Sequence, residues 1–167
     1  MMVPADPLKM SFPPVVDDRT RLLLLGSLPG EQSLARGQYY ANPRNQFWRL
    51  LTEILGTDLV VLNYEQRLAA LLAARIGLWD SIASATRQGS LDTSIRAHRA
   101  NELTDLVGRL PSLTAVAFNG AASARIGERA LGDAGDFARL ALPSSSPAYT
   151  LPFDRKLEQW RALRDFL

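Results

Sequence analysis

The run Leu22-Leu23-Leu24-Leu25, cut off at once by Gly26-Ser27-Leu28-Pro29-Gly30, constrains the fold more than any other feature of the chain. A strand that is apolar at every position has no face for water, so it must be covered on both sides. Strands of that kind belong to parallel sheets with helices on each face. The glycine–proline turn ends the strand and leaves backbone N–H groups unpaired at its C-terminal end. In open α/β sheets that is where ligands bind. Tyr39 and Tyr40, then Asn42-Pro43-Arg44-Asn45, follow within about fifteen residues. Aromatic faces, amides and an arginine beside such a turn suit a planar polar ligand on an anionic backbone, such as a nucleobase in a nucleic acid.

The rest of the chain repeats the pattern. Strands are expected at Arg21 to Leu25, Ile76 to Trp79, Thr114 to Phe118 and Ala138 to Leu142. Phe47, Leu50, Leu51, Ile54 and Leu55 recur at helical spacing and place a helix over about Asn45 to Leu55. Further helices are expected over Tyr64 to Arg75 with Asn63 as its cap, about Ala97 to Leu110, Ala121 to Leu131, and from Phe153 to the C-terminus. A long loop joins Gly26 to Arg44, and a polar loop without helical periodicity follows Asp80. The expected fold is a three-layer α/β/α sandwich around a four-stranded parallel sheet. Residues 1–19 read as a flexible Pro-rich lead-in and 20–167 as a single domain. Each strand empties into a polar or glycine-rich loop: Gly26-Ser27, Asp80-Ser81, Asn119-Gly120 and Ser144-Ser145. A parallel sheet brings all four to one edge, which is the expected active face.

Composition narrows the chemistry. The 167 residues contain no cysteine and one histidine, His98, so disulfides, thiolate metal sites and multi-histidine metal sites are excluded. His98 is expected at the surface. Met1 to Thr20 lacks the apolar core of a signal peptide, and no apolar run approaches the ~20 residues of a membrane span, so a cytoplasmic location is expected. The net charge is +2, and of nineteen basic residues only Lys9 and Lys156 are lysine. Arginine suits phosphate and base edges, though the balance permits nucleic-acid binding without requiring it.

Taken together, GSLPG, YYANPRNQFW, GLWDSI with RQGSLD, AFNG, and LPSSSPAY with a following Lys and Trp resemble the hypoxanthine (deoxyinosine) DNA glycosylase family. That family lies within the uracil-DNA glycosylase superfamily. The resemblance runs from about Phe12 to Trp160. It implies the same parallel four-stranded sheet, and hydrolysis of the N-glycosidic bond of a deaminated base flipped out of DNA, leaving an abasic site. It also implies no metal and no cofactor.

The resemblance places the key asparagine at Asn45, whose amide would position the attacking water; the alternative is a helix cap. Asp80, at a neighbouring strand end, is the second candidate to activate water, and its alternative is a turn cap. Leu28 stands where uracil-directed relatives carry Asn, Asp or Glu, so this turn supplies no water-activating group. Gly26, Ser27 and Leu28 are assigned to the base. Tyr40 aligns with the aromatic that stacks on it, and Tyr39 is the packing partner. Asn119 is assigned to the base or its backbone, or is a left-handed turn residue. Arg44, Ser144, Ser145, Ser146, Pro147 and Lys156 are assigned to DNA, Lys156 otherwise being solvated. Asn42 replaces the family's common histidine, and Tyr149 stands where a small polar residue is frequent. Ser90-Leu91-Asp92 matches the family without a derivable role. No lysine lies in the strand-end motifs to form a Schiff base, so a monofunctional enzyme is expected; it is also expected to be a monomer. The rival readings are the same fold acting on uracil, xanthine or mismatched thymine, and a non-catalytic nucleic-acid-binding module. A small-nucleotide binder is disfavoured because GxGxxG and Walker patterns are absent.

Overall fold

The computed structural model describes residues 8–87 and 89–167. In chain order the elements are β1 (Leu8–Met10), β2 (Leu22–Gly26), α1 (Glu31–Arg36), α2 (Phe47–Leu55), α3 (Tyr64–Ala73), β3 (Ile76–Asp80), β4 (Ile82–Arg87), β5 (Ile95–Ala100), α4 (Leu103–Gly108), β6 (Ala115–Asn119), α5 (Ala121–Leu131), β7 (Ala138–Leu142) and α6 (Phe153–Trp160). The central sheet has the order β3-β2-β6-β7 and every pairing is parallel.

The leucine run sits at its centre, with Leu22 beside Ile76 on one side and Ala115 on the other. All four leucines are fully buried. Strand alternation sends Leu22 and Leu24 into one layer with Phe47, Leu50 and Leu51 of α2 and Leu157 and Trp160 of α6. Leu23 and Leu25 enter the other layer with Leu103 and Leu106 of α4 and Leu131 of α5. Each such side chain contributes about 1.5–3 kcal/mol of burial, so a polar residue anywhere in the run would damage a helix interface. α3 begins at a capping box, with the Gln66 N–H on the Asn63 side chain at 2.9 Å and the Asn63 N–H on Gln66 Oε1 at 3.1 Å.

Four regions differ from the sequence expectation. The polar stretch after Asp80 is a hairpin, β4 with β5, joined by β1 into a second, antiparallel sheet of order β1-β4-β5. Two register shifts interrupt β4, so its buried residues Ile82, Ala85 and Arg87 do not keep the period of two that marks a strand. The helix expected from Ala97 starts only at Leu103, and His98 lies exposed on β5. The long loop contains the short helix α1. Part of the lead-in read as flexible is tied down: β1 pairs with β4, and Val15 exchanges backbone hydrogen bonds with Leu78 at 2.8 and 2.9 Å. Residues 1–7 of that lead-in, and Gln88 in RQGSLD, lie outside the described residues.

Candidate active site

The four parallel strands end along one edge, and a cleft of about 1000 Å³ opens there. The Gly26–Gly30 turn after β2 and the Ser144–Tyr149 segment after β7 form two of its walls, and Tyr40, Asn45, Asp80 and Asn119 also line it. A side chain at Gly26 would block this floor. A Cβ there would lie 2.7 Å from Asp80 Oδ1 and 2.8 Å from the Tyr40 hydroxyl.

The first wall is clamped by the hairpin. Arg87, only 1% exposed, donates to the carbonyl oxygens of Leu28 (3.3 Å) and Pro29 and lies 3.5 Å from Asp92 Oδ1. Asp92 accepts the Ser27 hydroxyl at 2.7 Å, and Ser90 Oγ accepts the Glu31 N–H at 2.9 Å. Burial lowers the Arg87 pKa, while Asp92, Asp80 and Glu31 favour its charge. The Ser90-Leu91-Asp92 motif thus ties the turn to the hairpin and also lines the cleft. Leu28 packs inward on Ile82, Ala85 and Ile126 while still lining the cleft.

The opposite wall is built from neutral groups. The Ser145 N–H donates to Asn119 Oδ1 (2.9 Å), and Asn119 Nδ2 donates back to Ser145 Oγ (2.9 Å) and to the Tyr40 hydroxyl (3.3 Å). Ser145 Oγ then donates to Asn45 Oδ1 (2.7 Å), which also accepts the Phe47 N–H at the start of α2 (3.0 Å). The helix-start and cleft positions proposed for Asn45 thus coincide. Tyr40 is stacked on Phe47 with centroids 3.7 Å apart and has φ +54°, a costly conformation for a non-glycine residue and one that concentrates at functional sites. Tyr39 is buried, its hydroxyl donating to the Pro13 carbonyl (3.2 Å).

Asp80 ends the edge strand β3, beside Gly26. Its side chain is 3% exposed, and Oδ2 has no hydrogen-bond partner among the described residues. Burial pushes its pKa from 3.8 up to about 7, Arg87 opposing the rise and Asp92 adding to it. The turn-cap alternative fails, because no backbone N–H among the described residues reaches the carboxyl. The same burial, together with the charge of Asp80, raises the Tyr40 pKa and keeps that phenol neutral.

Several expectations are revised. Asn119 lines the cleft with its amide bonded to Ser145 and to the Tyr40 hydroxyl. The left-handed residue at its turn is Gly120 (φ +99°), not Asn119. Ser145 is buried and bonded within the protein, so among the three serines only Ser144 and Ser146 remain partly open to phosphate. Lys156 is buried too. It precedes Trp160 by four residues and shares its inward face, donating to the Ser146 carbonyl at 3.1 Å rather than reaching outward. Arg44 is exposed and outside the cleft lining, whereas Pro147 is exposed at its rim. Arg87 and the positional role of Ser145 escaped the sequence reading. The available signal was that a lone arginine stood five residues before Asp92 in an otherwise uncharged loop. Among the described residues no His, Cys, Asp and Glu side chains group to hold a metal, and no helix is long and apolar enough to cross a membrane.

The family model of the uracil DNA glycosylase superfamily matches residues 13–166. A hypoxanthine DNA glycosylase of Methanosarcina barkeri is 47% identical over 112 residues, covering 67% of this chain and 71% of the relative. A hypoxanthine DNA glycosylase of Methanosarcina acetivorans is 37% identical over 156 residues, covering 93% and 98%. The solution NMR structure of a candidate uracil DNA glycosylase from Methanosarcina acetivorans superposes with a TM-score of 0.83 at 36% identity, covering 96% of this chain and 99% of that one.

Proposed function

The chain belongs to the uracil DNA glycosylase superfamily, and from that premise we propose that it excises hypoxanthine from deoxyinosine in DNA, leaving an abasic site. It is a DNA glycosylase, and DNA is its substrate. The observation that carries the choice of base is the naming of both Methanosarcina relatives, one of them matched over nearly its whole length. The turn supports it: Leu28 puts an aliphatic side chain where a uracil-directed enzyme needs a polar one.

In this reading the damaged nucleotide is flipped into the cleft, the cost of unstacking being lowest for a poorly paired base. Tyr40 stacks on the extruded base, an interaction worth about 1–3 kcal/mol. Ser144, Ser146 and the backbone of their loop, with Arg44 outside the cleft, receive phosphates, so binding weakens with salt. Asn45 and Asp80 carry the hydrolysis. The enzyme acts as a cytoplasmic monomer, without a metal or a lysine Schiff base.

The test is a gel assay on end-labelled oligonucleotides carrying inosine, uracil, xanthine or a G·T mismatch, in duplex and single-stranded form. Strand cleavage at inosine only after alkali is the expected result. Cleavage at uracil instead keeps the reaction and overturns the substrate. Silence on every base leaves a nucleic-acid-binding module.

A further inference from the structure

The hydrogen bonds in the cleft fix which atom of Asn45 is available, and it is not the one that water needs. Two backbone N–H groups, whose direction is unambiguous, anchor the network at its ends. The Ser145 N–H can donate only to an oxygen, so it identifies Asn119 Oδ1. The other amide atom of Asn119, Nδ2, must then donate to Ser145 Oγ. That hydroxyl has its proton left for Asn45, which therefore presents Oδ1 to it. The Phe47 N–H independently requires the same orientation. Both lone pairs of Asn45 Oδ1 are thus occupied, at 2.7 and 3.0 Å. No hydrogen bond engages Asn45 Nδ2 among the described residues, and Asn45 lines the cleft. What Asn45 offers a ligand is a pair of amide hydrogens. An attacking water needs the opposite, an acceptor that takes its proton and leaves its lone pair aimed at C1′. Asp80 meets that need, because it lines the cleft and its Oδ1, which takes no donor among the described residues, borders the Gly26 gap beside the Tyr40 hydroxyl.

We propose, on the glycosylase reading above, that the two residues divide the reaction: Asn45 donates through Nδ2 to an acceptor atom of the flipped nucleotide and its departing base, and the Asp80 carboxylate takes the proton of the attacking water. The water oxygen bonds to C1′ as the C1′–N9 bond breaks. The electron pair of that bond leaves with the purine, and the water proton passes to Asp80. The purine anion, held by the Asn45 amide, takes a proton from solvent, and Asp80 returns its own to solvent. Ser145 and Asn119 are positioning residues in this scheme, since they hold the Asn45 amide in its donor-outward orientation.

The test compares Asn45→Asp with Asn45→Ala in single-turnover excision of inosine from duplex DNA at pH 8. Aspartate keeps an oxygen for Phe47 and Ser145, but turns the atom facing the cleft from donor to acceptor. The expected result is that Asn45→Asp is impaired at least as much as Asn45→Ala, roughly a hundredfold or more below the wild type. Asn45→Asp within about tenfold of the wild type overturns the donor assignment. A measurement on the wild-type protein stands apart from any folding defect in the variants: side-chain amide exchange by NMR. Asn45 should exchange with solvent quickly and Asn119 slowly; equal protection overturns the assignment. A wild-type protein silent on inosine, uracil, xanthine and G·T overturns the glycosylase reading instead, a result distinct from an active wild type with an active Asn45→Asp.

Discussion

The two walls of the cleft are held by opposite means. Behind the Gly26–Gly30 turn stands a buried cation, Arg87, whose guanidinium grips two backbone carbonyls and pairs with the partly exposed Asp92. The Ser144–Ser146 loop is held by a chain of neutral groups, Asn119 to Ser145 to Asn45, and by one buried cation, Lys156, on the Ser146 carbonyl. The first wall contributes backbone and an aliphatic side chain, so it needs only to be rigid. The second contains the Asn45 amide proposed to meet the substrate, and the same bonds that hold the loop select the amide's orientation. A desolvated cation is expensive to strand, whereas a neutral hydrogen bond is worth about 1 kcal/mol and costs more only when its partner is left buried alone. The walls should therefore fail differently.

Breaking the charged wall should have the largest effect. Arg87→Met leaves the Leu28 and Pro29 carbonyls without their buried donor and takes one partner from the partly exposed Asp92, and a loss of about 2–4 kcal/mol in denaturant unfolding is expected. The variant should also move the pH midpoint of excision upward, because Arg87 is the group holding down the Asp80 pKa. An unmoved midpoint would mean that the clamp and the carboxyl are independent.

Asp80 comes next. Its folded-state pKa is raised, so the native protein keeps a proton that the unfolded chain releases between about pH 4 and 7. The stability tied to that proton is complete below about pH 4 and is lost as pH rises through about 7. Asp80→Asn should remove this loss, raising the melting temperature more at pH 8 than at pH 4, with an effect of the order of a few kcal/mol. Excision runs the other way: as a base Asp80 must be ionised, so wild-type activity should climb through about pH 7 and level off, and Asp80→Asn should abolish it. Melting curves and single-turnover rates across pH check both signs.

The smallest effect should come from the neutral wall. Asn119→Ala leaves the Ser145 N–H and hydroxyl short of partners and should cost about 1–3 kcal/mol. It should lower the excision rate by releasing the Asn45 amide, while the pH midpoint stays where it is. A midpoint displaced as far as in Arg87→Met would erase the distinction between the walls.

Much of this was legible in the chain. Leu22 to Leu25 had to be a strand covered on both faces, because no residue in it tolerates water, and the polar residues closing each strand had to meet at one edge. Asn45, Tyr40, Asp80 and Asn119 were all placed at the cleft by that argument and by the family motifs. The hairpin was not legible, since its register shifts erase the alternation on which strand recognition depends. Nor was the use of each polar group. Lys156 and Ser145 look like phosphate ligands in one dimension, and only packing turns them inward, to the carbonyl of Ser146 and the amides of Asn119 and Asn45. Local sequence determines which side chains reach the sheet edge, because helix and strand periods are local properties. Which lone pair of Asn45 is occupied, and how far burial shifts Asp80, depend on groups up to a hundred residues away, and only the tertiary structure brings those together.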